Sequence, residues 1–317
     1  MPRYRNALPQ LGGGLFLTDG GLETTLIFHY GLELPSFAAF TLLDTSAGQA
    51  ALHRYFSTYA DLARRLRLGL VLESPTWRAS PDWATPLGYS SDRLRDVYRR
   101  SIQLMESFRA ALDQDRLATV IAGDVGPRGD GYVPSAIMTA DQAADYHRPQ
   151  IEALADTEAD LISALTLNYV DEAIGIALAA RSVEMPVVLS FTVETDGRLP
   201  TGETMQAAIE ATDAATDGYP AYYMVNCAHP THVLRGLSTG AWRRRVRGIR
   251  ANASAKSHAE LNEATALDEG DLVEFGALHA TLREQLPALS VIGGCCGTDH
   301  RHVEQACLAL KQGVVNA

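Results

Sequence analysis

The stretch Leu289-Ser290-Val291-Ile292-Gly293-Gly294-Cys295-Cys296-Gly297-Thr298 joins a short apolar run to glycines and two adjacent cysteines. An apolar run of this length, ended by turn residues, is typical of a buried strand. The residues that follow, 299–310, have apolar side chains at the spacing that predicts an amphipathic helix. Because the same order of strand, turn and helix recurs along the chain, we interpret this stretch as the last of a series of strand–helix units.

Eight such units can be traced. The predicted strands are residues 15–18, 69–73, 117–122, 160–165, 186–191, 221–225, 246–251 and 289–292. Helices are predicted at residues 50–66, 92–112, 140–155, 170–181, 204–215, from about 230, 271–285 and 299–310. Apolar strands that alternate with helices indicate a parallel α/β sheet with both faces covered. Eight of them predict a single (β/α)8 TIM barrel, one domain over residues 1–317, with an open doubly wound sheet as the alternative.

The composition limits the classes of partner. The chain has 317 residues, of which 46% are hydrophobic, and a formal net charge of −11. An acidic chain is a poor ligand for nucleic acid, and no apolar stretch approaches the roughly 20 residues that cross a membrane. The start, Met1-Pro2-Arg3-Tyr4-Arg5, lacks the apolar run of a signal peptide, and four cysteines are too few for a disulfide framework. We expect a cytoplasmic protein that binds neither nucleic acid nor membranes.

Three of the four cysteines follow predicted strands. Cys227 comes after the strand at 221–225, and Cys295 and Cys296 come after the strand at 289–292. The carboxyl ends of all the strands of a (β/α)8 barrel meet at one mouth, so these three thiolates can converge there. Such a set favours zinc and leaves the fourth tetrahedral position open, as in catalytic sites. A substrate thiol bound at that position would lose its proton and become a nucleophile at neutral pH.

Other interpretations of the cysteines remain open at this point. The adjacent pair Cys295-Cys296 is also compatible with two buried structural thiols or with a strained vicinal disulfide. Cys307 lies among apolar neighbours on the last predicted helix, and we interpret it as a core residue. His300 and His302 follow the pair closely, but they fall at the start of that helix and are not expected to be metal ligands.

Five motifs resemble those of a known family, the homocysteine S-methyltransferases, which include the betaine-homocysteine and S-methylmethionine-homocysteine enzymes. The resemblance covers nearly the whole chain, and the two cysteine motifs are its most specific part. The matching stretches are Thr18-Asp19-Gly20-Gly21-Leu22-Glu23-Thr24, Glu73-Ser74-Pro75-Thr76-Trp77-Arg78-Ala79-Ser80, Ala122-Gly123-Asp124-Val125-Gly126-Pro127, Asn226-Cys227, and Gly293 to Thr298.

The resemblance implies a (β/α)8 barrel, in agreement with the strand count. It also implies that Cys227, Cys295 and Cys296 bind Zn2+ and that the sulfur of homocysteine completes the shell. The backbone around the Asp-Gly motif is implied to receive the amino-acid end of the substrate. The candidate substrate-binding residues are Asp19, Gly20, Gly21, Glu23, Thr76 and Asn226.

One residue departs from the family pattern. After the fourth strand the family usually carries a glutamate that binds the amino group of homocysteine, and this chain has Leu165 at that position. A leucine side chain cannot accept a hydrogen bond from an ammonium group. Either another carboxylate, Glu23 or Glu73, takes over this role, or the acceptor is not homocysteine.

The sequence therefore predicts a zinc-dependent S-methyltransferase. It would move a methyl group from a small sulfonium or ammonium donor to a thiol, with homocysteine giving methionine as the leading possibility. The donor is expected to be a free small molecule such as S-methylmethionine, S-adenosylmethionine or betaine, and Trp77 and Arg78 are candidates for the wall of its pocket. Another thiol or selenol acceptor, a zinc hydrolase and a zinc- or thiol-binding barrel without catalysis are the alternatives. Three thiolates disfavour the hydrolase, because such sites prefer histidine and carboxylate ligands.

Overall fold

Eight parallel strands close into a barrel in chain order, which confirms the predicted (β/α)8 architecture and excludes an open sheet. The structure is a computed structural model that describes residues 2–134, 137–264 and 266–315. The strands are β1 (Phe16–Leu17), β2 (Gly69–Glu73), β3 (Thr119–Val125), β4 (Leu161–Leu167), β5 (Val187–Phe191), β6 (Tyr222–Asn226), β7 (Val246–Ala251) and β8 (Val291–Gly294). The barrel closes between β1 and β8, where Phe16 pairs with Val291.

Helices cover the outside of the barrel. Within the described residues they are α1 (Leu22–Thr24), α2 (Ser46–Leu66), α3 (Pro81–Ala84), α4 (Ser91–Asp113), α5 (Ala140–Ala155), α6 (Val170–Ser182), α7 (Met205–Thr216), α8 (Pro230–Gly236), α9 (His258–Asn262), α10 (Leu272–Gln285) and α11 (His300–Val315). Helix α2 begins before its predicted start, because the hydroxyl of Thr45 accepts a hydrogen bond from the backbone N–H of Gly48 and caps it. In the part of the chain that is described, no helix combines the length and the apolar character needed to cross a bilayer.

Several strands run further toward the mouth than the sequence predicts, and β3 and β4 are the two that matter most here. Strand β3 continues to Val125 and β4 to Leu167, so Gly123 and Asp124 lie in the sheet, opposite Ile162 and Ser163. Glycine and aspartate are poor strand formers, and their presence led to the shorter prediction. In the closed barrel the backbone hydrogen bonds of both neighbouring strands outweigh that preference. As a result, the carboxyl group of Asp124 is buried within the barrel wall.

The core has an inner and an outer part. The inner part fills the barrel with side chains that alternate along the strands. Its buried members are Leu8, Phe16, Val71, Val120, Ala122, Leu161, Leu165, Val188, Tyr222, Met224 and Val291. The amino-terminal segment closes the end of the barrel opposite the cysteines: the amide of Gln10 donates to the hydroxyl of Tyr222 over 3.3 Å, and the hydroxyl of Ser290 donates to the carbonyl of Gln10 over 3.1 Å.

Asp160 fastens this amino-terminal segment to the barrel. Its Oδ1 accepts from the backbone N–H groups of Arg3 and Tyr4 at 2.7 and 2.8 Å. Its Oδ2 accepts from Arg109 and from the backbone N–H of Ile121, both at 2.9 Å. The carboxylate is fully buried, and the Arg109 side chain is only 7% exposed. A buried ion pair adds little net stability, but removal of one partner costs about 3–5 kcal/mol because the other charge is left buried and unpaired.

We predict that Asp160→Asn lowers the free energy of unfolding by roughly 3 kcal/mol, because the amide turns one acceptor into a donor that faces other donors and leaves Arg109 without its counterion. Urea denaturation followed by circular dichroism measures the change. Asp217→Asn, at a carboxylate that is 95% exposed, is the matched control and should unfold at the wild-type midpoint. Equal midpoints for the two variants would contradict the structural role of Asp160.

Candidate metal and substrate site

The structure brings the three strand-end cysteines together at the mouth of the barrel. Cys227 follows β6, and Cys295 and Cys296 follow β8. The Sγ of Cys227 lies 2.7 Å from that of Cys295 and 3.5 Å from that of Cys296, and all three sulfurs lie within 4.8 Å of one another. Cys227 is buried, Cys295 is half-buried and Cys296 is exposed, so the cluster opens toward solvent on one side.

This cluster has the chemistry of a metal site. Four ligands around zinc, with Zn–S bonds of about 2.3 Å, place neighbouring sulfurs about 3.8 Å apart. The Cys227–Cys296 distance is close to that value, while Cys227 and Cys295 would have to separate by about 1 Å. The three thiols also differ in pKa. Hydrogen bonds with Cys227 and Cys295 lower the pKa of Cys296. Hydrogen bonds with Cys295 and Cys296 raise the pKa of Cys227. Three soft sulfur donors at this spacing could hold a metal ion.

The backbone at Cys227 adopts a left-handed conformation, with φ 56°. A residue with a side chain pays about 1–3 kcal/mol for this conformation, so its surroundings must hold it. The N–H of Cys227 donates to the carbonyl of Arg250 over 3.1 Å, and its carbonyl accepts from Nε2 of His258 over 2.6 Å. The chain is therefore fixed on both sides of Cys227 as it leaves β6, which sets the direction of the sulfur.

The Asp19-Gly20-Gly21 turn packs directly against the Cys295-Cys296 loop. The N–H of Gly294 donates to the carbonyl of Asp19 over 2.9 Å, and the N–H of Gly21 donates to the carbonyl of Thr298 over 3.0 Å. A Cβ atom at residue 21 would lie 2.5 Å from the carbonyl oxygen of Cys295. Glycine is required there because the two loops approach too closely for any side chain.

Two aromatic rings cover the cysteines. The hydroxyl of Tyr132 lies 2.9 Å from the Sγ of Cys227 and 3.6 Å from that of Cys296. Burial and the charges of the cysteines raise the pKa of Tyr132, so its hydroxyl keeps its proton and can donate to sulfur. His258 stacks on Tyr132 with ring centroids 4.1 Å apart, and its Nδ1 lies 3.0 Å from Glu194. Burial lowers the pKa of His258, but its bonds to Glu194 and to the Cys227 carbonyl outweigh this and raise it overall.

Asn226 joins the end of β4 to the cysteines. Its Oδ1 accepts from the N–H of Thr166 at 2.8 Å and from the hydroxyl of Ser190 at 2.7 Å, and its Nδ2 donates to the Thr166 hydroxyl at 2.8 Å. Its Nδ2 also lies 4.0 Å from the Sγ of Cys295. Thr166 has φ 64° in a bulge of β4, and Leu165 just before it belongs to the inner core at 6% exposure. Leu165 therefore faces the interior of the barrel near the mouth.

A cluster of buried charges lies within the barrel wall. The guanidinium of Arg250 is 2.6 Å from Asp19 Oδ1 and 3.6 Å from Glu73 Oε1. The hydroxyl of Tyr55 donates to Asp19 Oδ2 over 2.8 Å. Burial raises the pKa of both Asp19 and Asp124, and Arg250 opposes this rise in each. One cation thus stabilises the charge of several carboxyl groups. The carboxylate of Asp19 already pairs with Arg250 and accepts a hydrogen bond from Tyr55.

The remaining substrate candidates, Thr76 and Glu23, differ in whether their side chains already have partners within the protein. The hydroxyl of Thr76 donates to the carbonyl of Asp124 over 2.7 Å and lies 2.7 Å from the hydroxyl of Ser74, so it holds the barrel wall together. Glu23 on α1 is half-buried and forms no ion pair with any described residue. Burial, and then the charges of Cys296 and Asp19, raise the pKa of Glu23 to about 7. The side chain of Thr76 is therefore occupied by contacts within the protein, whereas the carboxylate of Glu23 is available to a ligand.

The other residues near the motifs lie outside the cluster. His302 is buried, and its Nε2 contacts the carbonyl of Glu269 at 2.8 Å. His300 is exposed. Cys307 is fully buried, and burial raises the pKa of its thiol to about 12, as expected of a core residue.

Sequence reasoning missed Tyr132, His258 and Arg250. Tyr132 lies in the long segment between β3 and α5, and His258 lies in the segment between β7 and α10, where no motif marks either one. Arg250 could have been identified from the sequence, because a charged residue near the carboxyl end of a buried barrel strand requires a counterion.

We predict that Arg250→Gln destabilises the protein more at pH 8 than at pH 6. A carboxyl group with a raised pKa favours the folded state below that pKa and loses this contribution as the pH rises through it. Removing the guanidinium raises the pKa of Asp19 and Asp124 further, so the deficit should grow by up to about 1.4 kcal/mol per pH unit for each carboxyl that binds a proton. Urea denaturation at both pH values measures it, with Arg65→Gln at the exposed Arg65–Glu304 pair as the control. A deficit that does not change with pH would contradict this account of the cluster.

Comparisons with known proteins agree with this architecture. A family model described as homocysteine S-methyltransferase matches residues 16–310. Homocysteine S-methyltransferase 4 of Zea mays is 26% identical over 95% of this chain and 90% of its own. A selenocysteine Se-methyltransferase of Brassica oleracea var. italica is 24% identical over 90% of this chain and 86% of its own. The metallated form of the homocysteine methyltransferase MmuM from Escherichia coli has the same fold, with a TM-score of 0.69 at 20% identity over 94% of this chain and 96% of its own.

The family match spans most of the chain and includes the loops that carry all three cysteines of the cluster. The protein therefore belongs to the homocysteine S-methyltransferase family of enzymes.

Proposed function

We propose that this protein is a zinc-dependent S-methyltransferase that moves a methyl group from a small sulfonium or ammonium donor to a thiol. The observation that carries the proposal is the cluster of Cys227, Cys295 and Cys296, open on one side, at the mouth of a barrel of this family. Homocysteine is the leading acceptor, with methionine as the product. We expect the enzyme to act in the cytoplasm on small molecules.

The protein side of the mechanism follows from the geometry. Cys227, Cys295 and Cys296 would hold the zinc ion, which supplies a Lewis acid that lowers the pKa of the acceptor thiol. Tyr132 donates a hydrogen bond to the cysteine sulfurs and, with His258, closes one side of the cluster. The acceptor sulfur forms a bond to the methyl carbon while the bond from that carbon to the donor sulfur or nitrogen breaks. Opposite charges cancel in this step, so a pocket that excludes water favours it.

The amino end of the acceptor requires a carboxylate that Leu165 does not supply. Leu165 faces the barrel interior near the mouth, and an ammonium group buried against it would lose hydrogen bonds worth several kcal/mol. Glu73 is a poor substitute, because it lies within the barrel wall beside Arg250 and accepts a hydrogen bond from Ser163 over 3.4 Å. Glu23 lies on α1, directly after the turn that packs against the cysteine loop, and the charge of Cys296 contributes to its raised pKa. We therefore assign the ammonium-binding role to Glu23.

One alternative acceptor has support of its own. A relative described as a selenocysteine Se-methyltransferase matches 90% of this chain, so a selenol acceptor with an amino group is also compatible with the site. The role assigned to Glu23 applies equally to that acceptor, because both carry an α-amino group.

We predict one zinc per chain, bound by the three cysteines. Elemental analysis should give one equivalent for the wild type, and Cys227→Ser, Cys295→Ser and Cys296→Ser should each lose at least about 10-fold in affinity against a competing chelator, since a hydroxyl is a poorer zinc ligand than a thiolate. Cys307→Ser is the matched control and should keep its metal, because Cys307 is buried away from the cluster. Full zinc content in Cys296→Ser, or none in the carefully prepared wild type, would refute the assignment.

We predict that Glu23→Gln raises the KM for homocysteine about 10- to 100-fold, because a charge-assisted hydrogen bond to the ammonium is lost. With 4-mercaptobutyrate, which lacks the α-amino group, the same variant should behave as the wild type. Steady-state kinetics with both thiols measures the difference, and Glu73→Gln tests the competing carboxylate.

One result would count against Glu23, and another would count against the position assigned to residue 165. If the wild type strongly prefers homocysteine and neither Glu23→Gln nor Glu73→Gln reduces the preference, no carboxylate of this site binds the amino group. The second result concerns the double variant Leu165→Glu/Glu23→Gln. If it uses homocysteine no better than Glu23→Gln alone, then residue 165 does not face the amino end of the acceptor.

A further inference from the structure

The imidazole of His258 makes three contacts around Cys227. Its Nε2 donates to the carbonyl of Cys227 over 2.6 Å, and its Nδ1 donates to Oε1 of Glu194 over 3.0 Å, because both oxygens are acceptors. Its ring stacks on that of Tyr132, whose hydroxyl lies 2.9 Å from the Sγ of Cys227. One buried side chain thus contacts both the backbone of a cysteine of the cluster and the ring that covers its sulfur.

These contacts join the segments that follow three neighbouring strands. Glu194 follows β5, Cys227 follows β6 and His258 follows β7. His258 is the first residue of α9, and a capping box fixes the start of that helix. In it, the hydroxyl of Ser257 accepts from the N–H of Glu260 over 3.3 Å, and Oε2 of Glu260 accepts from the N–H of Ser257 over 2.8 Å. The imidazole therefore reaches Cys227 from a fixed backbone, and Glu194 sets the orientation of its ring.

The turn at Cys227 requires this support. Its φ of 56° is a left-handed conformation, which is unfavourable for a residue with a side chain and persists only where the surroundings hold it. Another donor to its carbonyl, the hydroxyl of Thr192, lies at the longer distance of 3.4 Å. Loss of the bond from His258 therefore removes the shorter of these two constraints on the carbonyl. The turn would then gain other conformations, in which the sulfur leaves the cluster.

We propose that the Glu194–His258 pair positions Cys227 for metal binding and acts through the Cys227 turn. The inference rests on the proposed function for the identity of the metal, zinc. Both residues are positioning residues rather than ligands, because each ring nitrogen of His258 already donates to an oxygen of the protein. A metal ion binds more tightly to ligands that are already in place, since less conformational freedom is lost on binding.

Zinc affinity, measured by competition with a chelator, tests this positioning without any turnover. His258→Phe keeps a ring against Tyr132 but loses both hydrogen bonds, and it should bind zinc about 10- to 100-fold more weakly, as is typical when an outer partner of a metal ligand is lost. His258→Gln, whose amide can take the place of Nε2, should bind zinc more tightly than His258→Phe. With cobalt in place of zinc, His258→Phe should show weaker sulfur-to-metal absorption, because Cys227 contributes less to the bonding.

His232→Phe is the matched control. His232 is also buried, and its Nε2 also contacts a backbone carbonyl, that of Ala255, at 3.0 Å. This carbonyl does not belong to a cysteine of the cluster. His232→Phe should therefore keep the zinc affinity and the cobalt spectrum of the wild type, even where urea denaturation shows that both variants are less stable.

Variants of Glu194 test whether the two residues act as a pair. Glu194→Ala should weaken zinc binding by a smaller factor, about 3- to 10-fold, because the ring of His258 keeps its bond to Cys227 but loses its fixed orientation. If Glu194 acts through His258, the double variant His258→Phe/Glu194→Ala should bind zinc no more weakly than His258→Phe alone. Additive losses, or no loss in Glu194→Ala, would refute the role of Glu194.

The outcomes separate this inference from the proposed function. Equal zinc affinity in the wild type and in His258→Phe refutes the positioning role, and zinc-dependent methyl transfer by the wild type would still support the proposed function. If zinc affinity depends on His258 but no thiol is methylated, the positioning role stands and the proposed function fails. A wild type that takes up no metal overturns both. Should His258→Phe fail to fold, Glu194→Ala decides, and an affinity equal to that of the wild type then refutes the inference.

Discussion

A single buried cation, Arg250 on β7, holds together the end of the barrel that carries the chemistry. Its guanidinium pairs with Asp19 after β1 and approaches Glu73 at the end of β2, and Asp124 on β3 responds to the same charge. The backbone of Arg250 also accepts the hydrogen bond from Cys227 that fixes the turn after β6. Removing several carboxyl groups from water costs several kcal/mol, and only a paired cation makes such a cluster tolerable. The position of the Asp19 turn, and with it the packing of the cysteine loop, depends on this interaction.

The regular part of the fold is readable from local sequence. Helix α5 has the predicted bounds, 140–155, because Thr139 and Gln142 form a capping box at its start. Strands rich in valine, leucine and isoleucine were located for the same kind of reason, since they are buried on both faces. The convergence of Cys227 with Cys295 and Cys296 was also predictable, because a closed barrel brings all strand ends to one mouth. That residues 1–317 form one domain and that these cysteines bind zinc remain predictions.

The rest of the site depends on contacts between distant parts of the chain. Nothing near Tyr132 indicates that its hydroxyl lies 2.9 Å from the sulfur of Cys227, 95 residues away. The orientation of Leu165 required the strand register, because a shift of one residue would turn its side chain out of the barrel. Arg78, Trp77 and Trp83 are neighbours in one segment, yet only the fold shows that the Arg78 guanidinium lies between the two indole rings.

The role proposed for Glu23 would place the ammonium-binding carboxylate on a different loop from the one that the family resemblance implies. All eight loops surround one mouth, so a carboxylate lost from the end of β4 can be supplied from the turn after β1 without moving the rest of the site. Under this proposal the ammonium group would be held from a different direction. The inner core also benefits, because Leu165 packs in the barrel interior where a glutamate would need its own partner.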